Sequence, residues 1–161
     1  MKKFFTCIIV VVMLLSIVCC VACTKETSFE KVVKCAKDMY DWATTDIKDF
    51  ESFEIIDACG YKRGYDDYPF TVFIYIPFRI TYTDGEYWED VAYYVGDSFI
   101  GYYSDFDDGT YEKELDLEEQ LLYLNCGLIF LGDEADEKFS KEEITQAISP
   151  TEPSEEAGAV A

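Results

Sequence analysis

Apolar and polar positions alternate over residues 70–82. Phe70, Val72, Ile74, Ile76, Phe78, Ile80 and Tyr82 fall on one side, and Thr71, Phe73, Tyr75, Pro77, Arg79 and Thr81 on the other. A period of two marks a β-strand with one buried face, so a long strand is predicted here. Pro77 has no backbone N–H to give a ladder, which requires a bulge or an edge position halfway along. Asp84-Gly85 is a two-residue hairpin signal, Tyr87 to Val95 reads as the next strand, and Gly96-Asp97 turns the chain into Ser98 to Tyr103. Ahead of them, Phe53 to Cys59 reads as a first strand, followed by a loop at 63–69 rich in turn residues. Short connections throughout predict a four-stranded antiparallel meander.

Helical periodicity brackets this sheet. Thr27 and Glu30 stand at capping-box spacing. Phe29, Val32, Val33, Ala36, Met39, Tyr40 and Ala43 then recur at three and four residues, predicting a helix over about 28–44 that lids the sheet. Lys31, Lys34 and Lys37, with Glu30 and Asp38, lie off that stripe as a solvated face. Beyond the sheet, Asp116 and Glu119 form a second cap pair. Leu117, Leu121, Leu124 and Leu128, with Leu122 and Ile129, predict a second amphipathic helix over roughly 116–126. Gly127 is a possible stop, and Leu128 to Leu131 reads as continued helix or a short strand. The chain turns acidic from Gly132; Ser140 with Glu143 starts a marginal helix over 141–148, and the Pro- and Glu-rich end is expected to be disordered. The fold expected is α+β over residues 28–131: an N-terminal helix packed on a four-stranded antiparallel β-meander, a second helix after it, and an acidic, largely disordered tail over 132–161.

Residues 1–22 lie outside this scheme. Lys2 and Lys3 precede an uncharged apolar run from Phe4 to Val18, which closes on Cys19-Cys20-Val21-Ala22-Cys23. A basic start, an apolar stretch and a small-residue exit describe a secretory signal. Val21-Ala22-Cys23 resembles the lipobox of bacterial lipoproteins, in which the last Cys receives a diacylglycerol and becomes the mature N-terminus. The resemblance implies lipidation at Cys23, palmitate-type acyl chains, and a tether to the membrane on its extracytoplasmic face, with residues 23–27 as spacer. Cys20 stands where the lipobox usually has Leu. A competing register would modify Cys20 itself, with Cys19 in place of a small residue. A plain signal cut near Ala22 and an uncleaved helix over Phe4 to Ala22 are the other readings; the run approaches the roughly 20 residues that span a bilayer. All of them place the rest of the chain outside the cytoplasm. The stretch from Asp49-Phe50-Glu51-Ser52-Phe53-Glu54 through the alternating strand also resembles small, uncharacterised bacterial lipoproteins in which a helix precedes a three- or four-stranded sheet. That resemblance covers about residues 27–103 and implies a fold class but no activity.

Charge then narrows the partners. The chain carries 13 basic and 33 acidic residues, a net charge of −20. Lys2 and Lys3 leave with the leader, so the mature surface is more acidic still. Such a surface repels phosphate backbones, which excludes nucleic acid. There is no His, which removes the usual neutral-pH base and the commonest metal ligand. Cys35, Cys59 and Cys126 are odd in number and widely spaced, and read first as small core residues, second as a Cys35–Cys59 or Cys59–Cys126 bridge. No cofactor is expected.

Two sets of residues invite a functional reading. Eleven of the 13 Tyr fall between Tyr61 and Tyr111. Phe73, Tyr75, Trp88 and Tyr94 are expected to share the sheet face opposite the apolar stripe, where rigid amphipathic rings would stack on a sugar or grip a peptide. The plainer alternative is cross-strand packing. Asp105, Asp107 and Asp108 are spaced as weak metal candidates, but counting from Asp105 the sixth and twelfth positions are Thr110 and Asp116, not the Gly and Glu of an EF-hand. No carboxylate pair stands out as catalytic. The function expected is a non-enzymatic, lipid-anchored module binding an envelope protein, peptide or glycan. The alternatives are a carboxylate-based envelope hydrolase and a structural accessory subunit of a membrane complex.

Overall fold

A computed structural model describes residues 26–65, 68–107, 116–132 and 134–149. Its elements are α1 (Ser28–Asp46), β1 (Phe50–Ile55), β2 (Cys59–Arg63), β3 (Val72–Tyr82), β4 (Tyr87–Val95), β5 (Ser98–Tyr102), α2 (Tyr103–Asp107), α3 (Leu117–Leu131), β6 (Glu137–Phe139) and α4 (Lys141–Ile148). The class is α+β as expected, but the antiparallel sheet has six strands rather than four. They run β5-β4-β3-β2-β6, with β1 also paired to β3. The three longer helices each start with a reciprocal capping box, Thr27/Glu30, Asp116/Glu119 and Ser140/Glu143, which satisfies two orphan N–H groups at each start.

β3 is the spine, and Pro77 explains how its outer neighbour is built. β1 ends opposite Phe78 through Ile55, and β2 begins its pairing at Gly60 opposite Tyr75. Residues 56–59 therefore stand against only 76–77. The Pro77 carbonyl accepts from the Ile56 N–H at 3.1 Å, so the missing N–H of Pro77 points to this interrupted side, where no regular ladder needs it. The expected bulge is thus carried by the partner strand while β3 stays continuous with β4, Pro77 facing Val91. The single strand expected over 53–59 is replaced by β1 and β2, because that break splits it.

Both faces of the sheet are covered. Ile74, Ile76, Phe78 and Ile80 of β3 pack with Val32, Cys35, Ala36 and Met39 of α1, and with Ile144 and Ile148 of α4. On the other face Phe73, Tyr75, Val91 and Tyr93 pack with Tyr123, Cys126 and Ile129 of α3. Two expectations are corrected here. Residues 137–148 are not part of a disordered tail: β6 pairs with β2, and Ile144 is wholly buried. Two buried residues four apart, Ile144 and Ile148, suffice because α4 adds to a core already formed. The last residues of the expected tail, 150–161, lie outside the described residues. The second helix runs unbroken through Gly127, but its leucine stripe is not the buried face. Leu117, Leu121, Leu124, Leu128 and Leu131 are exposed, while Tyr123, Cys126 and Ile129 pack on the sheet. Phe73, Tyr75 and Tyr93 fill that sheet face, and the helix packs on them through Tyr123, Cys126 and Ile129.

Candidate functional site: an aromatic groove beside the sheet edge

β5 is an edge strand, and its shape makes a groove. The turn before it uses Gly96 at φ 63°, a left-handed conformation that glycine takes without strain. Phe99 pairs with Tyr94, Gly101 with Tyr93 and Tyr102 with Ala92, so the strand carries one extra residue. Without that bulge, residues 99 and 102 would face opposite sides. With it, Phe99 and Tyr102 both turn toward α1. Gly101, at φ 152°, permits the bulge; a Cβ there would lie 1.2 Å from the Tyr123 hydroxyl. That hydroxyl donates to the carbonyl of Ile100, which ties α3 to the bulge.

The groove lies between this edge and the second half of α1. Asp38, Met39, Trp42, Tyr94, Asp97, Phe99 and Tyr102 enclose about 340 Å³, within the size range of small-molecule sites. Met39 and Tyr94 are buried and form the floor; Phe99 is 46% exposed and forms the outer wall. Ring centroids of Phe99 and Tyr102 are 4.8 Å apart, Tyr94 and Phe99 5.6 Å, and Trp42 and Tyr102 6.5 Å. Trp88 and Phe78 back this cluster, their rings 5.0 Å apart. Two carboxylates sit at the rim. Asp97 is ion-paired with Lys34, whose hydrogen bond holds its carboxyl below the usual range, and Asp38 is exposed. Burial pushes the hydroxyl of Tyr102 up to about 12 and that of Tyr94 higher, so both are neutral donors at physiological pH.

The four aromatic residues singled out in the sequence do not share a face. Trp88 lies opposite Ile80 and Tyr94 opposite Ile74, which puts both on the α1 side. Phe73 and Tyr75 point the other way, buried under α3. The expectation of one open aromatic face fails because α3 covers the far side, and because Trp88 and Tyr94 occupy even positions in register with the apolar stripe. Tyr94 alone of the four lines the groove. Trp42, Phe99 and Tyr102 escaped the sequence reading: Trp42 flanks the helical stripe, and the other two converge only through the bulge.

The remaining candidates are placed as follows. The Asp105 carboxylate accepts from the Tyr102 N–H at 3.0 Å, Asp107 belongs to α2, and Asp108 lies outside the described residues. Among the described residues no group of three or more His, Cys, Asp or Glu is placed to hold a metal. Cys35, Cys59 and Cys126 are free and buried in the core. Arg79 pairs with Glu89 and Glu54 and lies 5.4 Å from the Tyr87 ring centre. Cys23 and the alternative Cys20 lie outside the described residues, among which no helix is long and apolar enough to cross a membrane. No protein-family model matches the chain, and neither do curated proteins or solved structures.

Proposed function

We propose that the chain is a lipid-anchored, extracytoplasmic binding module of the bacterial cell envelope, and that it receives a peptide or protein segment presenting a cationic side chain. The groove carries the reading: three aromatic walls, an apolar floor and, at the rim, the exposed carboxylate of Asp38 beside the Lys34-paired Asp97, in a chain of net charge −20. An ammonium or guanidinium set against Trp or Tyr faces gains about 0.5–2 kcal/mol per good contact. The surrounding negative potential raises its rate of encounter. A tether at Cys23 leaves a short spacer before Ser28, and Trp42 lies about 20 Å along α1 at 1.5 Å per residue.

The two Trp residues report on this site, since their rings are 6.5 Å apart and Trp42 lines the groove. Titration of the chain with a lysine-containing peptide should change Trp fluorescence saturably. Acetylating the lysines should weaken binding by about tenfold, the loss of roughly 1.4 kcal/mol. The doubly substituted Phe99→Ala, Asp38→Asn chain should not respond. Equal binding of the acetylated peptide would refute the cationic ligand, and a response to an oligosaccharide alone would replace it with a glycan. The tether is tested separately by intact mass of the membrane-extracted chain: a free thiol at Cys23 would end that part of the proposal.

A further inference from the structure

The rings of the groove are set at angles to one another, and this bears on which cation they suit. Trp42 and Tyr102 are inclined by 40°, Phe99 and Tyr102 by 56°, and Tyr94 and Phe99 by 68°. A flat guanidinium gains most by stacking on a ring face or between parallel ones, and none of these three pairs is parallel. Rings inclined in this way around one groove meet a cation from several sides, which suits a rounded group. The polar lining is sparse as well. A primary ammonium brings three N–H donors and a guanidinium five, and each needs an acceptor once it leaves water. The side chains of Met39, Trp42 and Phe99 offer no oxygen. Asp97 already accepts from Lys34, and Asp38 is exposed at the rim. That leaves one carboxylate, at the mouth, and the hydroxyls of Tyr94 and Tyr102. A quaternary ammonium has no N–H to satisfy, yet it keeps the charge that aromatic faces attract.

We propose, on the cationic reading of the groove given above, that the cation it receives is a quaternary ammonium: a fully N-methylated lysine side chain of the partner segment. Charge complementarity favours a side chain over a zwitterionic lipid headgroup. The groove is lined by two carboxylates and by no cation. The phosphate close to a headgroup ammonium would therefore meet like charge at the rim, whereas a lysine stem brings no anion with it. Methylation also removes the strong hydration that a bare ammonium must shed on entering an apolar site.

Trp fluorescence of the full chain, titrated with one peptide in three forms, tests it. The forms carry lysine, trimethyllysine, or a neutral analogue with tert-butyl in place of trimethylammonium, so they differ only at the tip. The trimethyllysine form should bind about tenfold more tightly than either of the others. Phe99 is 46% exposed, so Phe99→Leu keeps apolar bulk at a position that tolerates change while removing one ring face. In that variant the lysine and trimethyllysine forms should bind alike; in Phe99→Tyr they should stay apart. A lysine form that binds as tightly as the trimethyllysine form overturns the inference and leaves the cationic reading standing, as does an unchanged preference in Phe99→Leu. Equal binding of the neutral analogue overturns both, and so does a response to none of the three. A saturable response to phosphatidylcholine vesicles, without one to the trimethyllysine form, overturns the side chain as the source.

Discussion

Gly101→Ala tests the link between backbone, α3 docking and groove. The added Cβ would fall 1.2 Å from the Tyr123 hydroxyl oxygen and 2.4 Å from its ring carbon Cζ, at a backbone φ of 152° that side chains rarely adopt. Holding such a conformation without glycine costs about 1–3 kcal/mol. Moving the Tyr123 ring also breaks its hydrogen bond to Ile100, about 1 kcal/mol more. The expected loss is therefore about 2–4 kcal/mol, large against a total stability of roughly 5–15 kcal/mol. In urea, at a slope of about 1–3 kcal/mol per molar, the midpoint should fall by about 1–2 M, read from Trp fluorescence. The same variant should bind the lysine peptide more weakly, because the bulge aims Phe99 and Tyr102 together. Repeating the substitution in a Tyr123→Ala background separates the causes, since only the backbone strain should then remain. A cost below about 0.5 kcal/mol, or an equal cost in both backgrounds, would refute the reasoning.

Ile144→Ala should destabilise by about 2–5 kcal/mol, because Ile144 is fully buried between α1 and the sheet; a change under 0.5 kcal/mol in urea would mean that α4 is not docked. Tyr93→Phe should be neutral or stabilising by about 1 kcal/mol, since the Tyr93 hydroxyl is buried with no hydrogen-bond partner among the described residues; marked destabilisation would reveal a partner. Burial pushes the thiols of Cys35 and Cys59 from 9.0 up to about 12. They should therefore resist a disulfide reagent at pH 8 until urea unfolds the chain. The folded state keeps protons that the unfolded chain sheds above about pH 9, so stability should be full below that pH and decline between about 9 and 12, by up to roughly 1.4 kcal/mol per pH unit for each thiol. A urea midpoint that rises over that range would contradict the assignment.

How far the fold could be read from residues depended on whether one interaction decided the outcome. The β3–β4–β5 meander was legible because period-two alternation and Asp84-Gly85 and Gly96-Asp97 turns are local signals that agree. The cap pairs located the starts of α1, α3 and α4 for the same reason, each being a contact between residues three apart. Pro77 announced an irregularity but not which strand would carry it; that depends on which neighbour its missing N–H faces. The groove was illegible at Phe99 and Tyr102, whose convergence needs one extra residue in β5, and that in turn needs Tyr123 of a distant helix above Gly101. α3 is the instructive failure. It has apolar residues on both sides, so periodicity alone cannot say which side is the inner one. The sheet decides, through the partners it offers: Phe73, Tyr75 and Tyr93 pack against Tyr123, Cys126 and Ile129 of the helix. The larger and more regular leucine face is thereby turned outward.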